Sequence, residues 1–375
     1  MQLFECLQSI PDPRKKRGVR HPFQSVLKFV LLGFTCRLVA IEHMVSFFKP
    51  IWSQLKGDLG FNRPELPDPT TIRRMLNGLK PEQLQEAFEQ WVSEVIGHQT
   101  FMASVDGKAM RNVKGENGLA LMLVNVFAHD LKLAIAEYAI KAKEGEPTVL
   151  KEVLAQLFKQ YPGLKILVGD AAFAGRELNE VIISLGRDYI AQIKENQPKM
   201  KKLLEEWFQN KIPKEVPAAV ETKKKSGEER WELWVDSDLG AMLIGRLAKF
   251  PGLKQIACVR KRIYNREQLI VEEIRYHVTS ASRRKLSPKK FLRGIRGHWQ
   301  IENTLHHVKD RSWSEDKMYS KVPEQGWVLG KLRNQALNIV RTLAEKLRWK
   351  EESMPKWSAQ LLSRPKRTLA LMRGL

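Results

Sequence analysis

The sequence has few cysteines, and they are not arranged for crosslinking or for metal binding. Cys6, Cys36 and Cys258 are far apart, odd in number and form no CxxC pair. This spacing gives no support to a disulfide framework or to a zinc knuckle. It favours a reducing compartment, and the cytoplasm is the simplest location.

The sequence also lacks a segment suited to secretion or to membrane insertion. Its first sixteen residues contain no basic stretch followed by an apolar core, so a signal peptide is not expected. The most apolar stretch, residues 26–41, is interrupted by Lys28 and Arg37 and is too short to span a bilayer. We therefore expect a buried helix there and no membrane partner.

Positive charge is what the sequence has in excess. The 375 residues are 43% apolar and 28% charged, which is typical of a soluble globular protein with a large core. The net charge is +22, from 64 Lys and Arg against 42 Asp and Glu. Basic proteins attract polyanions, and the release of counterions from phosphates drives binding. Because the basic residues are spread over the chain, nucleic acid is favoured over a membrane surface, although a merely solvated surface has the same composition.

Residues 1–97 are predicted to form a helical N-terminal domain that binds DNA. In the segment PDPTTIRRML (67–76), Pro and Thr mark a helix start, and Ile72, Met75 and Leu76 form its apolar side. Arg73 and Arg74 would point outward, as on the second helix of a helix-turn-helix. A solvated helix face is the competing interpretation of this arginine pair.

Residues 98–349 are predicted to form a catalytic domain of the α/β class. From residue 101 the patterns alternate in the order strand, β-hairpin, helix, strand, helix, strand, which favours a mixed sheet with helices packed on it. A β-rich insertion is expected at about residues 209–273, with its last strand rejoining the main sheet. Residues 350–375 are predicted to be a mobile, basic C-terminal tail.

Two predicted strands end in an acid, and a third acid lies in a predicted helix. FMASVD ends at Asp106 and LKILVGD ends at Asp170, while Glu302 shares a helical stripe with His298 and His306. Side chains at strand ends converge over a sheet edge, and a divalent ion such as Mg²⁺ relieves the repulsion between carboxylates. Taken singly, either Asp has a simpler role as a turn or N-cap residue, and the Glu as a solvated side chain. Taken together with the positive charge, they indicate a two-metal phosphoryl-transfer site.

Several segments resemble the DDE transposases of bacterial insertion sequences, and the H-repeat-associated subgroup in particular. The resemblance covers most of the chain, and its most specific part is the HW-x-IEN-x-LHH block. The segments that carry it are IPDPRKKRGVRHP (10–22), VDGKAMR (105–111), VGDAAFAG (168–175), YIAQIKENQ (189–197), RYHVTS (275–280), IRGHWQIENTLHHVKDRSWSEDK (295–317) and LRNQALNIVR (332–341).

The resemblance implies a fold, an activity, a cofactor and a partner. It implies an RNase H-like catalytic core with a β-rich insertion before the helix that carries Glu302. Asp106, Asp170 and Glu302 would hold two Mg²⁺ ions, with Mn²⁺ as a substitute. The substrate would be DNA, namely the terminal repeats of an insertion sequence and a target. A homodimer on DNA and a nucleoid-associated location in the cytoplasm follow by analogy.

The resemblance also suggests which side chains contact DNA phosphates. Related transposases carry the pattern Y-x2-R-x3-E-x6-K around the catalytic Glu. Lys309 fits its last position, His298 stands at the Arg position and Ile295 at the Tyr position. A histidine is near neutral at pH 7, so Arg296 is expected to supply charge beside it. Lys108 and Arg111 of the DGKAMR motif complete the set, with solvated side chains as the alternative.

One departure and two alternative functions accompany the resemblance. Ala172 and Phe173 stand where the subgroup usually has a Leu-His pair, which removes a polar side chain near Asp170. A catalytically inactive relative that only binds DNA is one alternative. A nuclease that hydrolyses DNA without joining it is another, because both reactions use the same metals.

Overall fold

The computed structural model describes residues 2–15, 17, 19–115, 118–140, 145–212, 214–224, 228–320, 322–350 and 353–375. The chain divides into two units. The helical unit comprises Met1–Gln99, Gly107–Glu144 and Glu302–Leu375, and the sheet unit comprises Thr100–Asp106 and Gly145–Ile301. Among the helices of the described ranges, none is long and apolar enough to cross a membrane.

The helical unit takes its helices from both ends of the chain. The apolar stretch at residues 26–41 predicted a buried helix, and α2 (Phe23–Thr35) is that helix, although it ends at Thr35; Val26, Leu27 and Val30 are fully buried in it. The helices are α1 Leu3–Cys6, α2 Phe23–Thr35, α3 Ile41–Phe48, α4 Trp52–Leu59, α5 Pro69–Asn77, α6 Pro81–Ile96, α12 His307–Trp313, α13 Pro323–Lys346, α14 Met354–Ser363 and α15 Pro365–Arg373.

The long helix α13 organises the helical unit. It packs against α2, α6 and the strand β3 (Leu133–Ala139), so the first and last parts of the chain share one core. The strands of this unit have the order β3-β2-β1, where β2 is Ala120–Ala128 and β1 is Phe101–Lys114. Only the residues of β1 from Gly107 onward belong here. Residues 1–97 therefore belong to a larger unit than the predicted N-terminal domain.

The C-terminal residues are not the mobile basic tail that the sequence predicted. They form α14 and α15, and Leu361, Leu369 and Met372 are buried, with Leu369 and Met372 fully inaccessible to solvent. The indole N–H of Trp91 also donates to the carbonyl of Leu375, with 3.1 Å between nitrogen and oxygen. The prediction followed the basic residues of the segment, whereas its apolar side chains determine the packing.

The sheet unit contains the mixed sheet that the sequence predicted. Its strand order is β1-β4-β5-β9-β8-β7-β6. β1, β4 and β5 are parallel neighbours, and the remaining pairs are antiparallel. Besides β1, the strands of this unit are β4 Leu164–Gly169, β5 Asp188–Ile193, β6 Ala219–Lys224, β7 Glu228–Asp236, β8 Gln255–Asn265 and β9 Gln268–Thr279.

The β-rich insertion is joined to the rest of the sheet through its last strand, as predicted. β9 pairs with β5, and Ile190 lies opposite Thr279 in that pairing. The helices of the sheet unit are α7 Glu146–Gln160, α8 Arg176–Ser184, α9 Pro198–Lys211, α10 Leu239–Ala248 and α11 Pro288–Gln300.

Helix α11 covers one face of the sheet unit. Its buried side chains Phe291, Leu292 and Ile295 share a core with residues of β1, β4, β5, β7 and β8. Gly294 allows a close approach, since a Cβ atom built there would lie only 2.9 Å from Cδ1 of Ile190. A larger residue at position 294 would push α11 away from the strands.

Candidate active site

Asp106 and Asp170 follow directly on a pair of opposed residues in neighbouring parallel strands. Val105 of β1 is the register partner of Gly169 of β4, so each aspartate is the next residue on its strand. Both strands run in the same direction. β4 ends at Gly169, whereas β1 continues through Asp106 to Lys114, so the strand end that the sequence predicted at Asp106 is wrong. Both aspartates are partly exposed. The structure thus brings together two residues that are 64 positions apart in the printed sequence.

The backbone after Asp170 forms a fixed turn. The Asp170 carboxylate accepts a hydrogen bond at 2.8 Å from the backbone N–H of Ala172 and caps the short 3-10 helix Ala171–Phe173. This is the capping role that the sequence left open for Asp170, and it engages one carboxylate oxygen. The side-chain amide of Asn196 donates to the carbonyl of Ala171 at 2.6 Å and holds the same turn.

Phe173 has a packing role in this turn. It is buried, and a Cβ atom built at Gly169 would lie 2.6 Å from its own Cβ atom. The Phe173 side chain therefore fills the space beside Gly169. Ala172 and Phe173, which stand where the subgroup usually has Leu and His, make the surroundings of Asp170 less polar. The backbone of the turn is still held by the hydrogen bonds of Asp170 and Asn196.

Glu302 continues directly from the helix that packs on these strands. α11 lies against β4 in the sheet unit, and the buried Ile301 is the last residue of that unit. Glu302 is the next residue, and it lies in a π-helical turn, Ile301–His306, instead of in the continuous helix that the sequence predicted. Such widened turns are rare and occur frequently at functional sites.

Within the helical unit, Glu302 is in contact with a buried histidine. Nδ1 of His306 lies 3.2 Å from Oε2 of Glu302, and the side chains are 4% and 70% exposed respectively. The hydrogen bond from His306 is the main reason that the pKa of the Glu302 carboxyl is lowered. Burial lowers the pKa of His306, which favours its neutral form. The sequence placed both residues on one stripe but gave His306 no role.

Lys309 and Lys108 are not exposed phosphate contacts in this structure. The Lys309 side chain is fully buried, and its Nζ lies 3.1 Å from Glu315 Oε2 and 3.4 Å from Glu137 Oε2. Nζ of Lys108 lies 2.9 Å from Glu315 Oε2 and 2.7 Å from Asp310 Oδ1. Buried charges need such partners because desolvation is costly. Both lysines are thus held by carboxylates in this structure, and the DNA contacts that the sequence suggested for them stay a prediction.

The two buried carboxylates that pair with these lysines, Glu315 and Glu137, are themselves stabilised by their surroundings. Burial alone would raise the pKa of Glu315, but the charges of Lys309 and Lys108 outweigh it and lower that pKa to about 2. The side-chain amide of Asn334 donates to Glu137 Oε2 at 2.9 Å. Glu137 and Glu315 were not identified from the sequence, because single acids in a strand or turn carry no distinguishing signal.

Arg296 and His298 lie on the partly buried side of α11. Arg296 forms an ion pair with Glu221 and lies 5.5 Å from the ring centre of Trp231. His298 is partly buried beside Trp299. The guanidinium of Arg275 lies 3.9 Å from the ring centre of Trp299, so cations and indole rings alternate here.

Among the other predicted DNA contacts, Arg111 and Arg74 are well exposed. The Arg111 side chain is 78% exposed, and its Nε lies 3.9 Å from Oδ2 of Asp316. Arg74 points outward from α5 as predicted, whereas Arg73 is partly exposed and paired with Glu42.

Known proteins resemble this chain along most of its length. Residues 4–92 match the family described as DDE_Tnp_1-associated, and residues 102–332 match the Transposase DDE domain. Two relatives from Escherichia coli strain K12 are "Putative protein YbfL", 27% identical, and "H repeat-associated putative transposase YhhI", 26% identical. Each alignment covers 90% of this chain and 90% of the relative.

A solved structure resembles the fold. It is a piggyBac transposase in a synaptic complex with hairpin DNA, determined by cryo-electron microscopy, with a TM-score of 0.50. The match covers 99% of this chain and 80% of the other chain at 10% sequence identity, so it shows a similarity of fold alone. That fold is the RNase H-like mixed α/β arrangement that the sequence predicted.

Proposed function

The chain belongs to the DDE transposases, in the H-repeat-associated subgroup, and on that premise we propose that it cuts the DNA ends of an insertion sequence and joins them to a target. Asp106, Asp170 and Glu302 are the proposed catalytic carboxylates. The observation that carries this proposal is the pairing of Val105 with Gly169, which puts Asp106 and Asp170 at the same level of two neighbouring parallel strands.

The oxygen ligands that Asp106 and Asp170 offer suit Mg²⁺. The two aspartates offer only carboxylate oxygens, which together with water are the ligands that Mg²⁺ prefers and that Mn²⁺ also accepts. Adjacent carboxylates repel each other in the absence of a cation, so a divalent ion stabilises the arrangement. When bound, two such ions would supply an activated nucleophile and stabilise the leaving oxygen of an in-line displacement.

Glu302 is proposed as the third carboxylate. Its support comes from α11, which packs on the strand ending before Asp170 and leads directly to Ile301 and Glu302. The role of the three acids is to hold the ions and to fix the DNA phosphate in line for attack. The π-helical turn that contains Glu302 is consistent with such a role.

The proposed partner is DNA, bound by exposed basic residues. The net charge of +22 supports this proposal, and so do the exposed side chains of Arg111 and Arg74. Because transposition joins two ends to one target, we propose that the chain acts as a homodimer on DNA. Because the proposed substrate is DNA, the proposed location is the cytoplasm, in association with the nucleoid.

The test is a strand-cleavage assay on a plasmid that carries the DNA flanking the coding sequence. With Mg²⁺, the wild type should nick and then join the ends, whereas D106N, D170N and E302Q should each lose cleavage by about 1,000-fold. All three variants should still bind the same DNA in a mobility-shift assay, because the surface arginines are unchanged.

Other outcomes would identify another function. A wild type that binds DNA and does not cleave it in Mg²⁺ or Mn²⁺ would be an inactive, DNA-binding relative. A wild type that nicks but does not join pre-cut ends would be a nuclease. Full cleavage by any one of the three variants would contradict the assignment of that residue.

A further inference from the structure

We infer that His306 is the positioning residue for the Glu302 carboxylate: its Nδ1–H fixes the side chain of Glu302 in the orientation needed to bind a divalent ion. This inference rests on the proposed function, in which Glu302 is a metal ligand. It assigns a role to a histidine that does not itself need to contact metal or DNA.

The first argument is the difference in solvent exposure between the two side chains. The Glu302 side chain is 70% exposed, whereas that of His306 is 4% exposed. An exposed glutamate samples many rotamers, and binding an ion requires it to lose that freedom. A hydrogen bond from a buried ring restricts the carboxylate before the ion arrives. Metal-binding carboxylates are generally supported by such outer hydrogen bonds.

The second argument concerns the tautomer. An ionised carboxylate only accepts hydrogen bonds, so the ring nitrogen facing it must carry the proton. Nδ1 of His306 is that nitrogen, at 3.2 Å from Oε2 of Glu302. The neutral ring is therefore protonated on Nδ1, and the contact is directional. A residue that merely filled the space under Glu302 would not require a particular donor atom.

The third argument is that the backbone carrying both residues is anchored. They lie in the π-helical turn Ile301–His306, where the regular ladder of helical hydrogen bonds is interrupted. The guanidinium of Arg341, on α13, donates to the carbonyl of Thr304 in that turn and to the carbonyl of Lys132. The turn is thus tied to the core of the helical unit, so His306 has a fixed frame from which to orient Glu302.

The chain offers matched variants for the test. His306→Leu removes the N–H donor and fills the same space with an apolar side chain. His306→Asn places an amide N–H close to where Nδ1 lies, whereas His306→Gln places it near Nε2. The adjacent His307 is exposed and has no assigned role, so His307→Asn serves as the control. Thermal unfolding of each variant reports whether the fold is retained.

The measurement is Mn²⁺ binding, followed by electron paramagnetic resonance, to the full chain on its flanking DNA. We expect H306L and H306Q to bind Mn²⁺ about 10- to 100-fold more weakly than the wild type. This is the usual loss of metal affinity when a residue that hydrogen-bonds to a metal ligand is replaced. H306N should bind within about threefold of the wild type, and H307N should be unchanged. E302Q provides the reference for loss of the ligand itself.

Each result decides between definite conclusions. If E302Q weakens Mn²⁺ binding while H306L and H306Q do not, the role of His306 is wrong and the proposed function stands. If H306N is as weak as H306L, the ring does not act as an Nδ1 donor. If E302Q binds Mn²⁺ as tightly as the wild type, Glu302 is not a metal ligand, and the proposed function fails at that residue.

A second readout needs no metal. In metal-free protein labelled with ¹⁵N-histidine, His306 should show the shifts of the Nδ1-protonated tautomer, and E302Q should alter that signal. Assignment comes from the resonance that disappears in H306N, since the chain has 8 histidines. An Nε2-protonated His306 in the wild type would overturn the inference.

Discussion

Val105 and Gly169 are direct register partners in the parallel pair β1–β4, so the next residues on the two chains, Asp106 and Asp170, lie at the same level of the sheet. This relationship makes two distant acids neighbours without requiring either to be buried. It also depends on Gly169, because Phe173 occupies the space that a side chain at position 169 would need. The geometry of the candidate site therefore rests on backbone pairing and on one small residue.

Replacing Lys309 separates a structural role from a DNA-binding role. Lys309→Met should lower the free energy of unfolding by about 3–5 kcal/mol, because Glu137 and Glu315 lose a buried partner. Urea denaturation measures this change, and Lys317→Met, at an exposed position, should leave stability unchanged. Unaltered stability of K309M together with weaker DNA binding would restore the direct phosphate contact that the sequence suggested.

Arg111 should contribute to DNA binding through its charge. Its side chain is 78% exposed, and its Nε lies 3.9 Å from the carboxylate of Asp316, so the guanidinium remains available to a phosphate. Arg111→Ala should weaken binding to all DNA sequences and reduce the slope of log affinity against log salt by about one. Arg176→Ala, which removes an exposed arginine paired with Glu180, is the matched control. An unchanged salt slope for R111A would remove Arg111 from the interface.

The buried His277 should make the protein sensitive to acid. Burial, together with the charges of Arg275, His298 and Lys194, lowers its pKa to about 3 from 6.5. The unfolded chain then binds more protons than the folded chain between those values, so stability is complete above pH 6.5 and falls as the pH decreases. On this basis the wild type should lose on the order of 2 kcal/mol between pH 7 and pH 5 through this group.

His277→Asn removes this titration. Urea unfolding at the two pH values should show a smaller loss for H277N than for the wild type. An equal loss in both proteins would mean that other groups cause the acid sensitivity.

The packing of the C-terminal residues is also testable. Leu369 of α15 is fully buried, so Leu369→Ala should cost about 2–5 kcal/mol of stability in urea. Lys366→Ala, at an exposed position of the same helix, should cost little. A mobile tail would make both substitutions neutral.

The sequence predicted the order of the elements well because hydrophobic periodicity is a local property. The strand that ends before Asp170, the start of β1 at Phe101, the hairpin, and the helix starting at Pro69 each follow from residues within one segment. β1 is longer than predicted, since it continues to Lys114 with Met110 and Val113 buried. A charged residue in mid-strand was interpreted as the end of the strand.

The contacts that the sequence did not predict are those between distant segments. Lys309 and Glu137 are 172 positions apart, and each resembles an ordinary surface residue when considered alone. The π-helical turn at Glu302 is likewise invisible to a helical pattern, because it depends on packing and on Arg341. Burial of charged groups is a property of the complete fold, which explains why the sequence did not predict the ion pairs of Lys309 and Lys108.

The central claim is that Asp106, Asp170 and Glu302 act by binding divalent ions, and replacing Asp170 by cysteine tests it most directly. A thiolate is a poor ligand for Mg²⁺ but is accepted more readily by softer ions such as Mn²⁺. DNA cleavage by D170C should therefore be abolished in Mg²⁺ and partly restored in Mn²⁺, while D170A stays inactive in both. Cleavage by D170C that is equally lost in both metals, or equally retained in both, would contradict the claim that Asp170 binds the metal.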